Sequence, residues 1–152
     1  MGRNRISRHV QGTPAVKGFR PFGRLDGRRG KIILTLDEYE AIRLLDYANL
    51  TQEEAAEKMQ VSRPTLTRIY KRARVKFATA LVEGSNLLIE GGNVKFRRHI
   101  FLCEDCGMFI ETDQRFLFHC PSCESPHIVS LDECYQNQCR QCRKCYRGGR
   151  NE

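Results

Sequence analysis

TQEEAAEKMQVSRPTLTRIYKRAR, residues 51–74, decides how this chain is read, because it meets one by one the demands of two helices crossing through a short turn. Thr51 with Glu54 three residues on is a capping box that starts one helix. Ser62 caps a second, with Pro64 tolerated in its first turn, where amide donors lack partners in any case. Ala55 and Ala56 are small where the helices approach, Val61 plugs the turn, and Leu66, Ile69 and Ala73 recur at the three-to-four spacing that buries a stripe. The outer face of the second helix is left to Arg63, Pro64, Thr67, Arg68 and Lys71, and no acidic residue occurs from Lys58 to Val82. A helix-turn-helix with such a face suits a phosphate-lined groove; the blander alternative is an amphipathic hairpin whose basic side is merely solvated. One slot departs from the pattern. Gln60 stands at the turn position where glycine is usual, because a left-handed backbone is often needed there.

The chain has 152 residues, eight Cys and no Trp, which favours small metal-stapled units over one large core. Its net charge of +8 is localised: residues 1–34 hold nine Lys or Arg against the single acid Asp26, and the remainder balances. That Gly-rich segment lacks the apolar periodicity that would order it, and reads as a basic arm, flexible until it meets a polyanion. Within it Phe19 and Phe22 are two aromatics in a basic loop, placed to dock on the first domain. No stretch approaches the roughly 20 apolar residues of a membrane span, and the N-terminus lacks a signal peptide's apolar core. The expected location is the cytoplasm, with no membrane partner, where cysteines at short spacings read as metal ligands rather than disulfides.

After the arm, residues 31–34 form a short β-branched run. Thr35 with Glu38 is another capping box, ahead of a stripe of Tyr39, Ile42, Leu44 and Leu45. The helix begun at Ser62 continues through Val75, Phe77, Ala80 and Leu81 to a stop near Gly84, about six turns at ~3.6 residues each. Its C-terminal half is available to pack on the first helix or to make a dimer contact. Residues 86–90 are a strand candidate closed by Gly91 and Gly92, and an irregular strand then leads from Val94 to Leu102.

The segment YEAIRLLDYANLTQEEAAEKMQVSRPTLTRIYKRARVKFATA, residues 39–80, resembles the fourth-region helix-turn-helix of sigma factors. It is closer still to a family of small prokaryotic proteins predicted to bind DNA. In that family a basic arm, an FRPFG-like turn, an LDEYEAIRL helix, the helix-turn-helix and an IEGG-like end follow in this order, so the resemblance spans about residues 1–92, with the tail after Gly92 outside it. It implies a sequence-specific DNA-binding protein and a regulator of transcription.

Cys103, Cys106, Cys120 and Cys123 are two pairs of two-residue spacing separated by 13 residues, which places two knuckles at the ends of a β-hairpin so that four thiolates converge on one Zn²⁺. With all four positions filled by protein, the role is structural; His119 and His127 are the alternative ligands. Cys134, Cys139, Cys142 and Cys145 form a denser group among arginines. A second zinc, an iron–sulfur or redox-sensing site, and unligated thiols all remain open there.

The expected fold is therefore mainly α: a sigma region-four-like helix-turn-helix domain plus a small C-terminal β zinc-ribbon-like domain. Residues 1–34 are the flexible arm, 35–92 the DNA-binding domain, 93–131 the ribbon and 132–152 a Cys/Arg-rich tail. The partner is double-stranded DNA. Arg63, Thr67 and Arg68 reach base edges, Ser62 and Thr65 lie at the helix entry, and Lys71, Arg72 and Arg74 with Arg3, Arg5 and Arg8 of the arm hold phosphates. An RNA-, ribosome- or RNA polymerase-binding ribbon is the rival reading. A metal- or redox-responsive regulator would add to the first, and a homodimer is compatible with it. No enzyme is expected: Asp37, Glu38, Glu53 and Glu54 fall at helix starts, where capping and the helix dipole explain them, and the histidines are scattered.

Overall fold

Each helix begins where a side chain can take over an orphaned amide. The computed structural model describes residues 7–23 and 30–132. Helix α1, Leu36–Ile42, opens with the Thr35 N–H donating to Glu38 Oε2 at 3.0 Å and runs on into a π-helical turn, Arg43–Tyr47. Helix α2, Gln52–Met59, opens with the reciprocal box of Thr51 and Glu54, the two bonds being 2.8 and 3.3 Å. Helix α3, Arg63–Glu83, starts under Ser62, whose Oγ accepts the Thr65 N–H, and stops at Gly84 in the left-handed region. Between α2 and α3 the chain reverses through Gln60, itself left-handed (φ 52°, ψ 46°), with its N–H on the Ala56 and Glu57 carbonyls.

The strands are short and mostly join distant parts of the chain. Strands β1 (Arg8–Val10), β2 (Gly18–Phe19) and β3 (Lys31–Leu34) precede the helices; β4 (Asn86–Ile89), β5 (Val94–Phe96), β6 (His99–Cys103), β7 (Phe109–Thr112) and β8 (Ile128–Ser130) follow them. β1 lies parallel to β5, with Arg8 opposite Val94. β4 is the middle of a second sheet, parallel to β3 and antiparallel to β2. β6 is the middle of a third, antiparallel to both β7 and β8.

This architecture corrects two expectations. Of the described residues 35% are helical and 23% lie in strands of three small sheets, so the fold is mixed α/β and not mainly α. Strands of two to five residues are too short to show alternation, and their partners stand up to 86 positions away, where periodicity carries no signal. Secondly, β1 and β2 of the segment read as a flexible arm are built into two of these sheets, while β3 is the β-branched run expected at its end. Phe19 and Phe22 do not dock; they are 59% and 99% exposed.

Three apolar clusters hold the layers. Val10, Leu34, Leu36, Ala73, Ala80, Leu87, Ile89 and Val94 join the first two sheets to α1 and the C-terminal half of α3, so this cluster extends beyond Gly91 and Gly92. Ala41, Leu44, Ala55, Ala56, Met59, Leu66 and Ile69 fill the crossing of α1, α2 and α3, with Val61 packed against them. Phe101, Cys103, Ile110 and Cys120 form a third, smaller cluster in the last sheet.

α1 also buries three carboxylates, Asp37, Glu38 and Glu40, at 4%, 2% and 3% exposure. Each faces a cation. Arg8 Nε lies 3.3 Å from Asp37, Lys76 Nζ 2.6 Å and Arg72 Nε 3.5 Å from Glu38, and Arg43 grips Glu40 through Nε and NH2, both at 2.8 Å. The Gln11 N–H also donates to Glu40, at 3.1 Å.

Two substitutions test this account. Gln60→Gly removes the Cβ penalty of a left-handed residue and is expected to stabilise the fold by about 0.5–1 kcal/mol, read as a higher urea midpoint. Gly18→Ala would set a Cβ 2.1 Å from the Leu87 carbonyl oxygen. It is expected to cost about 1–3 kcal/mol; a loss below about 0.5 kcal/mol, the range of an ordinary surface change, would show that β2 lies outside the cooperative unit.

Candidate nucleic-acid face and cysteine cluster

The crossing of α2 and α3 turns Leu66, Ile69 and Ala73 inward, and this leaves Arg63, Thr67, Arg68, Lys71, Arg72 and Arg74 exposed on α3. They are not equally available. Arg63 pairs with Glu53 at 2.9 Å, and the Thr67 hydroxyl lies 2.9 Å from Gln52 Oε1 and 3.0 Å from the Arg63 carbonyl. Ser62 and Thr65 share their hydroxyls at 2.8 Å in the helix cap. Arg72 reaches back to Glu38, and the Arg74 guanidinium lies 5.4 Å from the centre of the Tyr70 ring. Among the described residues, the side chains of Arg68 and Lys71 have no hydrogen-bond or ion-pair partner. Arg8, expected on a phosphate, is turned to Asp37 with its side chain 23% exposed; Arg3 and Arg5 lie outside the described residues.

Sequence reasoning missed Gln52 and Glu53. They occupy the first turn of α2, and the crossing brings them onto the outward face of α3. A capping box fixes where that turn starts, but not which side chains of the next helix it meets.

The cysteine cluster is built from two equivalent turns. Cys103 ends β6 and Cys106 follows in a turn closed by Gly107 (φ 74°), whose N–H donates to the Cys103 carbonyl at 2.9 Å. Cys120 and Cys123 repeat this, with Glu124 (φ 58°) donating to the Cys120 carbonyl at 2.9 Å. Asp105 of the first turn accepts from the Ser125 hydroxyl and contacts His127 Nδ1 at 2.9 Å in the second, and so clamps the two together. The four sulfurs lie within 4.8 Å of one another, with Cys103 to Cys123 at 3.6 Å and Cys106 to Cys120 at 3.7 Å. A tetrahedron with metal–sulfur bonds of about 2.3 Å has edges of about 3.8 Å, so the residues fit a metal held by four thiolates. His119 and His127 are not in this group. Cys134, Cys139, Cys142 and Cys145 lie outside the described residues.

The thiols are primed unequally. The backbone N–H of Cys106, outweighing the effect of burial and helped by that of Asp105, brings Cys103 down to about 6. At Cys123 the N–H of Ser125 pulls the same way, but burial and the sulfurs of Cys103, Cys106 and Cys120 outweigh it and push the thiol up to about 12. Near pH 7, then, Cys103 is ready to bind while Cys123 holds a proton that a metal must displace.

No helix among the described residues is long and apolar enough to cross a membrane.

Among the described residues, those up to Phe96 form two sheets around three helices, and a four-cysteine sheet follows. The chain belongs to the family described as "Protein of unknown function DUF134", which matches residues 1–97. It is similar to a "UPF0251 protein" of Chloroherpeton thalassium, 43% identical over 125 residues, 82% of this chain and 83% of that one. A "UPF0251 protein" of Methanothermobacter thermautotrophicus is 40% identical over 128 residues, 84% of this chain and 67% of that one. One of Clostridium novyi is 36% identical over 151 residues, 97% of this chain and 98% of that one. The family match ends at residue 97, close to the expected bound at Gly92, while the likeness to the Clostridium novyi protein runs on over nearly the whole chain, the cysteine-rich part included. No solved structure matches the chain.

Because protons compete with the metal for sulfur, affinity for Zn²⁺ is expected to rise with pH between 6 and 9 and to fall more steeply below about 6, where Cys103 is protonated as well. Competition against a chromophoric chelator at stepped pH measures this; an affinity flat across the range would exclude thiolate ligation.

Proposed function

We propose that this protein is a sequence-specific DNA-binding regulator of transcription, working in the cytoplasm without catalysis, in which α2 and α3 are a helix-turn-helix and α3 enters the major groove. The observation that carries the reading is the first half of α3: an exposed face to which α3 itself contributes no acid, Glu53 of α2 being held by Arg63, and on which Arg68 and Lys71 have no partner among the described residues. A guanidinium held free on a rigid helix can bond a guanine edge through two parallel N–H donors, and a free ammonium suits a phosphate. Arg63 and Thr67 are held by Glu53 and Gln52, so their turn toward a base requires those contacts to be exchanged, which favours a sequence that repays the exchange. The tetrathiolate site fits Zn²⁺, which would hold the last sheet together as a zinc ribbon, because that sheet has only a small apolar cluster of its own. A homodimer would extend the short site that one helix reads.

A second reading keeps the ribbon as the binding module for RNA, the ribosome or RNA polymerase. Its support is the exposure of Phe109, Phe116 and Phe118, at 67%, 67% and 76%, with Arg115 over Phe116. A regulator that responds to metal or oxidation would use Cys134, Cys139, Cys142 and Cys145, outside the described residues, without replacing the first reading.

Selection of bound DNA from a random pool, at stated salt and with metal-replete protein, tests the proposal. With the selected site in hand, Arg68→Ala is expected to relax preference at one position at a cost of about 1–3 kcal/mol, whereas Lys71→Ala weakens all sequences alike and lowers the salt slope by about one. Equal losses on selected and random DNA for both variants would sink the assignment.

A further inference from the structure

Where α1, α2 and the cysteine-bearing sheet meet, the surface folds into a recess of about 240 Å³. Glu40 and Arg43 of α1 and its π-helical turn form one wall with Gln11, Lys58 comes from the end of α2, and Arg97, Arg98 and Asp113 come from the turns flanking β6 and β7. Four cations thus face two carboxylates. Both carboxylates are already satisfied: Arg43 holds Glu40 in a two-pronged bond and itself donates to Gln11 Oε1 at 2.7 Å, while Arg98 lies 3.2 Å from Asp113. Among the described residues, the side chains of Lys58 and Arg97 have neither a hydrogen-bond nor an ion-pair partner.

We infer that this recess is a binding site for a phosphate-bearing anion, held by Lys58 and Arg97 against the paired guanidiniums of Arg43 and Arg98. Charge supports the class of ligand: the lining residues carry a net +2, or +1 once Glu111, which also pairs with Arg98 at 3.3 Å, is counted, and the two unpaired cations Lys58 and Arg97 in a recess focus their field on its mouth. Lys58 supplies a point charge and Arg97 a planar fork of donors, the pair that phosphate oxygens accept from in different geometries. Size supports it as well. The recess holds more than a single water and lies below the ~300–1,000 Å³ of pockets that enclose a whole drug-sized ligand, the scale of a phosphate or pyrophosphate group. Any larger group attached to the phosphate stays outside. Two sources supply this chemistry, the backbone of bound DNA and a free phosphorylated small molecule. In either case the anion would tie the end of α2 to the cysteine-bearing sheet, because Lys58 comes from α2 and Arg97 from the turn before β6.

The probe is inorganic pyrophosphate, titrated at constant ionic strength into the full metal-replete chain without DNA and followed by amide NMR shifts or calorimetry. Saturable binding is expected, with shifts at Lys58 and Arg97, weakened about tenfold or more in the Lys58→Gln/Arg97→Gln variant. Both side chains are exposed, so the fold should tolerate the change. Lys95→Gln/Arg115→Gln removes the same charge outside the recess and should bind like the wild type. No saturation by the wild type, or equal weakening in both double variants, overturns the site in favour of diffuse charge. Since this arm contains no DNA, its failure is separate from failure of the DNA-binding reading. DNA titrations then identify the source: a backbone phosphate in the recess lowers the salt slope of Lys58→Gln/Arg97→Gln by about two and makes pyrophosphate a competitor, whereas a free ligand leaves the slope intact and binds together with DNA.

Discussion

The row of carboxylates buried on α1 is the constraint on which the rest of the molecule depends. Asp37, Glu38 and Glu40 stand within one helical turn, nearly sealed from water, and three ions of one sign that close repel one another unless each is neutralised in place. The neutralising groups come from three different parts of the chain: Arg8 from the first strand, Arg72 and Lys76 from α3, and Arg43 from the turn that continues α1. Removing one partner of a buried pair typically costs about 3–5 kcal/mol, because the remaining charge cannot leave with it. The row therefore selects the one arrangement in which the N-terminal strand, α1 and α3 are all in place, while the apolar clusters on either side provide the attraction.

The same row sorts the basic residues by role. Arg8, Arg43 and Lys76 are committed to the interior and Arg72 is shared with it. What remains on the surface of the helical part is a smaller set, with Arg68 and Lys71 on α3 and Lys58 at the end of α2. A count of Lys and Arg would treat all of these as equivalent. Their separation into structural and available cations leaves a defined face open to an anionic partner although Arg8, Arg43, Arg72 and Lys76 are bound to buried carboxylates.

Much of the helical part was legible because its signals are local. A Thr or Ser followed by a residue that closes the cap, a three-to-four apolar spacing and a terminal glycine each act within one or two turns, and Thr35, Thr51, Ser62 and Gly84 all sit where these signals place them. The cysteine pairs were legible for a related reason: a two-residue spacing bends the backbone into a turn that points both sulfurs one way. Other features were hidden by distance along the chain. Asp37 and Glu38 read as ordinary cap residues, and nothing beside them announces that Arg8 and Lys76 will reach them. Three-residue β1 has no pattern until β5 lies next to it, so the arm looked free and the fold looked mainly α.

Sequence alone thus determined what short-range geometry can encode: the starts of the three helices and the stop of the last, the inward stripe of α3 with an opposite face to which α3 contributes no acid, and the pairing of cysteines into two turns. The tertiary structure alone decided which charges are buried and which are free, how the N-terminal strands join the sheets, and that Lys58 and Arg97 come to share one recess. The physical reason is the same in each case. Capping and periodicity are properties of neighbouring peptide units, whereas neutralising a buried carboxylate or completing a strand ladder requires a partner that only the closed chain delivers.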